Sequence, residues 1–153
     1  MHFPYTKQSG VSALELIVVV AVIGLLIAVV VIPLSSFRQQ QALQNSTNAV
    51  VAVLQDARTK TLAAVGNTAY GVRIESDRII LFTGTTYSSG ASTNEAVSLE
   101  TPVSAAWSLG GGSTILFARL TGTASASGTI TLSLPDGTSR IVTVTSSGTI
   151  TRN

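Results

Sequence analysis

Nineteen consecutive residues, Leu16 to Leu34 (LIVVVAVIGLLIAVVVIPL), carry no charged or hydrogen-bonding side chain. At about 1.5 Å rise per residue, a helix of that length matches a hydrocarbon core of about 30 Å. No charge falls between Glu15 and Arg38. A buried helix inside a globular core is the competing reading. It fails on size, because 153 residues make about one domain and leave too little chain to surround such a rod. The segment therefore predicts a transmembrane helix. The rest agrees: only 10% of residues are charged, against roughly 25% in an ordinary soluble domain, and mean hydropathy is +0.46.

The residue inventory excludes most chemistry. There is no cysteine, which removes disulfide frameworks, thiolate metal sites and cysteine nucleophiles. The single histidine, His2, cannot build a triad or a multi-histidine metal site. Nine Lys/Arg against seven Asp/Glu give a net charge of +2, too little for a polybasic nucleic-acid surface. Gly110-Gly111-Gly112 is followed by neither G-K-[ST] nor a helical pattern, so it is not a phosphate loop. The acids form no oxygen cage beyond the neighbours Glu75 and Asp77. We expect no enzyme, no cofactor and no metal. Trp107 reads as a core or subunit-packing residue, and Tyr70 and Phe82 as core.

The flanks of the apolar run are its informative part. Ahead of it lies MHFPYTKQSG, with one Lys and no acid. A secretory signal would have a shorter apolar core and a small-residue cut after it. Here Val, Ile and Pro follow, and the leader-like segment is the polar one ending in Gly10. Lys7 places the N-terminal side in the cytoplasm by the positive-inside rule. Glu15 stands one position ahead of the run. It is either an interfacial carboxylate that ends the span or a functional acid that needs a cation partner.

Ser9-Gly10-Val11-Ser12-Ala13-Leu14-Glu15-Leu16 resembles the processing signal of type IV pilins and type II secretion pseudopilins. The resemblance implies a leader of residues 1–10, removed by a prepilin peptidase between Gly10 and Val11. It also implies N-methylation of Val11, and assembly and register set by Glu15. Gly24 and Pro33 match the family's helix-bending positions, and a Pro and a Gly do weaken a helix. Two departures are plain: the mature chain would begin with Val rather than the frequent Phe, and Pro33 sits one position later than is usual. The implied partners are other pilin or pseudopilin subunits, the prepilin peptidase and an inner-membrane assembly platform. The implied location is the bacterial inner membrane, single-pass with the N-terminus in the cytoplasm, and then a periplasmic pseudopilus or a surface pilus. Cleavage would give Val11 a cationic amine. Glu15 could pair with the amine of a neighbouring subunit, or with its own one helical turn away.

Residues 11–34 are thus the expected transmembrane and assembly helix, and 35–66 an amphipathic helix. Leu43, Val50, Leu54, Ala57 and Val65 recur at helical steps, broadened by Val51, Val53 and Leu62, and Gly66-Asn67 is a stop signal. Residues 67–153 read as β-rich. Strands are predicted at 69–75, 78–83, 96–100, 105–109, 114–120, 129–134, 139–145 and 149–152, with turns at Ser76-Asp77, Pro135-Asp136-Gly137 and Ser147-Gly148. Leu54-Gln55-Asp56-Ala57-Arg58, Arg78-Ile79-Ile80-Leu81-Phe82, Ile115-Leu116-Phe117 and Gly148-Thr149-Ile150 are similar to the GspH/FimT group of minor pilins. That resemblance implies an α+β fold, with a long N-terminal helix, transmembrane plus amphipathic, packed on a C-terminal antiparallel sheet or sandwich. The function implied is a structural minor subunit of a pseudopilus or pilus. The alternative is a DNA-binding minor pilin using Arg140 and Arg152, although the G-R-x-R-type cluster of that subgroup is replaced here by Gly148-Thr149-Ile150-Thr151-Arg152.

Overall fold

The computed structural model describes residues 10–153, with side chains for all of them except residues 28–34. The chain forms two compact units, one ending at Phe37 and the other comprising Arg38–Asn153, and each is described by itself. The leader residues 1–9 and the side chain of Pro33 lie outside the described residues.

Helix α1 is assigned to Ala13–Leu62. In the first unit every described side chain from Val11 to Ile27 is exposed. In the second unit the helix carries a buried stripe of Leu43, Val50, Leu54 and Ala57, stepped by three, four or seven residues as one helical face requires. Three hydroxyl residues, Ser46, Thr47 and Thr61, are buried in the same stripe. Their polar atoms are satisfied. Thr47 Oγ1 donates to the Leu43 carbonyl at 2.7 Å, and Ser46 Oγ accepts from the Glu100 amide at 3.0 Å. Thr61 Oγ1 donates to the Ala57 carbonyl at 2.8 Å and accepts from the Tyr70 amide at 3.1 Å, tying the first strand to the helix. Replacing Thr61 with Val keeps the shape but strands the Tyr70 amide. Urea unfolding should show a loss of about 1–3 kcal/mol.

The helix stops at Leu62 because Ala64, Gly66 and Asn67 adopt φ of 47°, 60° and 55°, and this left-handed run turns the chain through a short 3₁₀ segment, Val65–Asn67. Val65 is consequently 46% exposed and does not extend the apolar stripe, contrary to the sequence expectation.

Eight strands follow: β1 Tyr70–Ile74, β2 Arg78–Thr83, β3 Glu95–Ser98, β4 Ser104–Leu109, β5 Thr114–Leu116, β6 Gly128–Ser133, β7 Ser139–Val144 and β8 Ile150–Arg152. They form two four-stranded antiparallel sheets, ordered β3-β2-β1-β5 and β4-β6-β7-β8. The fifth strand is shorter than predicted. It ends at Leu116, Phe117 keeps one bridge to Ala124, and Leu120 turns out at φ 68° and 76% exposure. One core takes Val72, Ile74, Ile79, Leu81 and Ile115 from the first sheet and Ile130, Leu132, Val142 and Val144 from the second, together with the helix stripe. Period-2 alternation puts these residues on one face of each strand.

Strand β2 is buried on both faces, which alternation alone does not predict. Ile79 and Leu81 enter the main core, and Ile80 and Phe82 lie on the opposite face. There Tyr87, from the loop after β2, meets Phe82 edge to face at 5.6 Å, and the Arg73 guanidinium lies 5.4 Å from the Tyr87 ring. Gly71, directly across from Phe82, is required: a Cβ there would lie 2.4 Å from the Phe82 ring.

The expected fold class needs correction. The described side chains of the helix fall in two stretches of 15 and 28 residues, 13–27 and 35–62, and no helix among the described residues is long and apolar enough to cross a membrane. In the second stretch the reason is polarity. The second stretch carries Arg38, Asp56, Arg58 and Lys60 among many amides. The expected long N-terminal helix, transmembrane plus amphipathic and packed on a sheet, is therefore not seen among the described residues. Among the described side chains of the helix, Ala42 is the first that is buried. The single-pass inner-membrane placement is corrected on the same finding.

Candidate functional site

The start of α1 is built by local hydrogen bonding. Ser12 is the cap: its Oγ accepts from the Glu15 amide at 3.2 Å, and its carbonyl accepts from the Leu16 amide at 3.1 Å. Glu15 stands in the first turn, where the helix dipole favours a carboxylate. Ser12-Ala13-Leu14-Glu15 is thus an S-x-x-E capping sequence, a signal legible in the chain that gives Glu15 a local role beside the assembly role implied by resemblance. Glu15 makes no ion pair among the described residues. Gly10 and Gly24 are open, with nothing within 4 Å of a Cβ built on either. Val11 is 71% exposed.

In the second unit a cleft of about 310 Å³ is lined by Gln55, Arg58, Thr59, Gly148, Thr149 and Ile150. It joins the α1 segment around Gln55–Thr59 to the turn between β7 and β8, two of the segments on which the minor-pilin resemblance was drawn. Arg58 is half-buried, and its Nε donates to the Gly122 carbonyl at 3.3 Å. Two glycines at positive φ make room for this contact, Gly122 at 66° and Gly148 at 79°. A Cβ on Gly148 would sit 2.0 Å from the Gly122 oxygen and 3.0 Å from Arg58 Nε. The turn itself is held by hydroxyls: Thr145 Oγ1 accepts from the Thr149 amide at 3.1 Å and lies 2.8 Å from Ser147 Oγ. Sequence reasoning missed Arg58 as a site residue. Only the Ser147-Gly148 turn was visible, and Gly122 carried no signal.

Arg140 and Arg152 lie on the adjacent strands β7 and β8. Val142 pairs with Arg152, so Arg140, two residues from Val142, shares its face. Arg152 donates to Asn48 Oδ1 on the helix, which also accepts from Gln44 Nε2 at 3.2 Å. Neither arginine makes an ion pair among the described residues, whereas the described ion pairs gather at Lys60 (Asp56 at 2.9 Å, Glu95 at 3.5 Å) and Arg78 (Glu75 at 2.8 Å, Asp77 at 3.6 Å). The hydrogen bond that Lys60 donates to Asp56, aided by the charges of Asp56 and Glu95, raises the Lys60 pKa above its usual value against a smaller opposing effect of desolvation. The stabilisation from that ammonium is therefore complete below its unfolded pKa and is lost as pH rises through the raised folded one.

Trp107 is 37% exposed on the edge strand β4. Among the described residues no cluster of His, Cys, Asp or Glu could hold a metal ion. No family model matches this chain, and neither the curated proteins nor the solved structures contain a match.

Proposed function

We propose that this chain is a structural filament subunit of the pilin or pseudopilin type, processed after Gly10 and joined to other subunits through the apolar segment that begins at Val11. The supporting observation is the exposure of that segment. Leu14, Leu16, Ile17 and Leu25 are each at least 60% exposed, and Glu15 is the one charged residue among them. A contiguous apolar surface of this kind marks an interaction site. Matching helices of other copies are the partners that would bury it. Once buried, Glu15 needs a cation, and the Val11 amine freed by cleavage supplies one. An uncut chain has only an amide at that position.

The test is the mass of the chain recovered from a host with a prepilin peptidase, together with its recovery in sheared filaments. The expected mass lacks the first ten residues, and Gly10→Val should leave the full-length mass. Glu15→Leu should be processed normally but enter filaments at least about tenfold less, because removing one member of a buried ion pair costs several kcal/mol. Retention of residues 1–10 in the native chain, or full incorporation of the Glu15→Leu variant, overturns the reading.

A DNA-binding role draws on Arg140 and Arg152 having no acid partner. Two phosphate contacts give a salt slope of only about −2, too shallow for binding carried by charge at physiological salt. A steep measured slope for duplex binding would favour that role instead.

A further inference from the structure

We propose that the Arg58 cleft is a carboxylate-binding site, and that its occupant is Asp136 on the β6–β7 hairpin of a second copy of this chain; the inference extends the filament reading above. The receiving side is a prepared arginine. Its Nε is held by the Gly122 carbonyl at 3.3 Å, which fixes the plane of the guanidinium. Among the described residues no partner engages its two terminal nitrogens, so the pair of parallel N–H groups that matches a carboxylate is available. Gly122 and Gly148 let the two turns close on Arg58, since a Cβ on either would press on its Nε, and Gln55, Thr59 and Thr149 offer further donors around the 310 Å³ cleft. The volume suits a side-chain carboxylate.

The choice of occupant follows from the acids of the second unit. Asp56 and Glu95 are paired with Lys60, Glu75 and Asp77 with Arg78, and Glu100 accepts from Asn45 Nδ2 at 3.1 Å. Asp136 alone contacts no side-chain donor among the described residues. It sits on an exposed turn and accepts only the Thr138 amide, at 2.8 Å through Oδ1. Its turn precedes β7 and the cleft turn follows β7, so the two lie at opposite ends of that strand, about 20 Å apart at 3.3 Å per residue. An acid at one end and its receptor at the other cannot meet within one chain. Between chains they make a head-to-tail contact, the kind that propagates into open assemblies.

The test uses disulfide capture between full-length chains, which the absence of native cysteine makes clean. Chains carrying Gln55→Cys are mixed with chains carrying Thr138→Cys and oxidised. A mixed dimer is expected. Its yield should fall at least about tenfold when Asp136→Asn is added to the second chain, a change that keeps the turn acceptor and removes the charge. Arg58→Glu on the first chain should abolish capture, and pairing it with Asp136→Lys on the second should restore it. Capture indifferent to Asp136→Asn, or no capture in chains that still enter filaments, overturns the inference and leaves the filament reading standing. Charge-dependent capture in chains that retain residues 1–10 would uphold the contact and overturn the filament reading.

Discussion

Phe82→Ala is expected to lower the unfolding free energy by about 3–5 kcal/mol, a large part of what a domain of this size possesses. Phe82 is 1% exposed, so its loss opens a ring-sized void inside the protein, which costs stability by forfeiting the ring's packing contacts. It is also the edge partner of Tyr87 at 5.6 Å and the residue facing Gly71 across β1 and β2, so the cover on that face of the sheet loses its anchor. Urea titration should show a lower midpoint with little change in slope. Gly71→Ala should be damaging for the complementary reason, its Cβ falling 2.4 Å from a ring that is too confined to move. The double variant is the sharper measurement. Removing the ring removes the clash, so Gly71→Ala/Phe82→Ala should be less unstable than the sum of the two single changes. Strict additivity would show that ring and glycine are not in contact.

Gly128→Ala should cost about 2–4 kcal/mol, through backbone conflict rather than lost burial. Gly128 has φ of 150°, and a Cβ on it would stand 2.0 Å from the Ser108 carbonyl oxygen. Ser108 and Leu109 belong to β4, which is hydrogen-bonded to β6 from Ser104 through Leu109, so neither strand can retreat without opening the ladder. Gly90→Ala is the matched control: nothing lies within 4 Å of a Cβ there and its φ is ordinary. Its midpoint should stay within about 0.5 kcal/mol of the natural chain. Equal losses at both positions would point to a general intolerance of added methyl groups instead of the close approach at Gly128.

Several features could be read from the chain alone because they are set by neighbours in sequence. Leu43, Val50, Leu54 and Ala57 declare a helix face by their spacing. Val142 and Val144, and Ile130 and Leu132, declare strand faces by theirs. The turns at Ser76-Asp77 and Pro135-Asp136-Gly137 follow from residues that favour tight backbone reversals. The uncharged run from Leu16 and the acid at Glu15 were equally visible, and so was the Ser12 cap for a reader who applies the S-x-x-E pattern. The run's length in residues suggested a membrane span, yet no helix among the described residues is long and apolar enough to cross a membrane.

What the tertiary structure alone decided depends on contacts between residues far apart in the chain. Arg58 meets Gly122 across 64 residues and Asn48 meets Arg152 across 104, and no local periodicity encodes either meeting. The burial of Phe82 on the second face of β2 involves Tyr87, from the loop after that strand, where alternation assigns one face to water. Local sequence fixes backbone preference and the side on which a residue emerges, since both arise from sterics within a few bonds. Which surfaces then meet is a property of the assembled sheets, and it is there that an ordinary helix arginine and two unremarked glycines become a cleft.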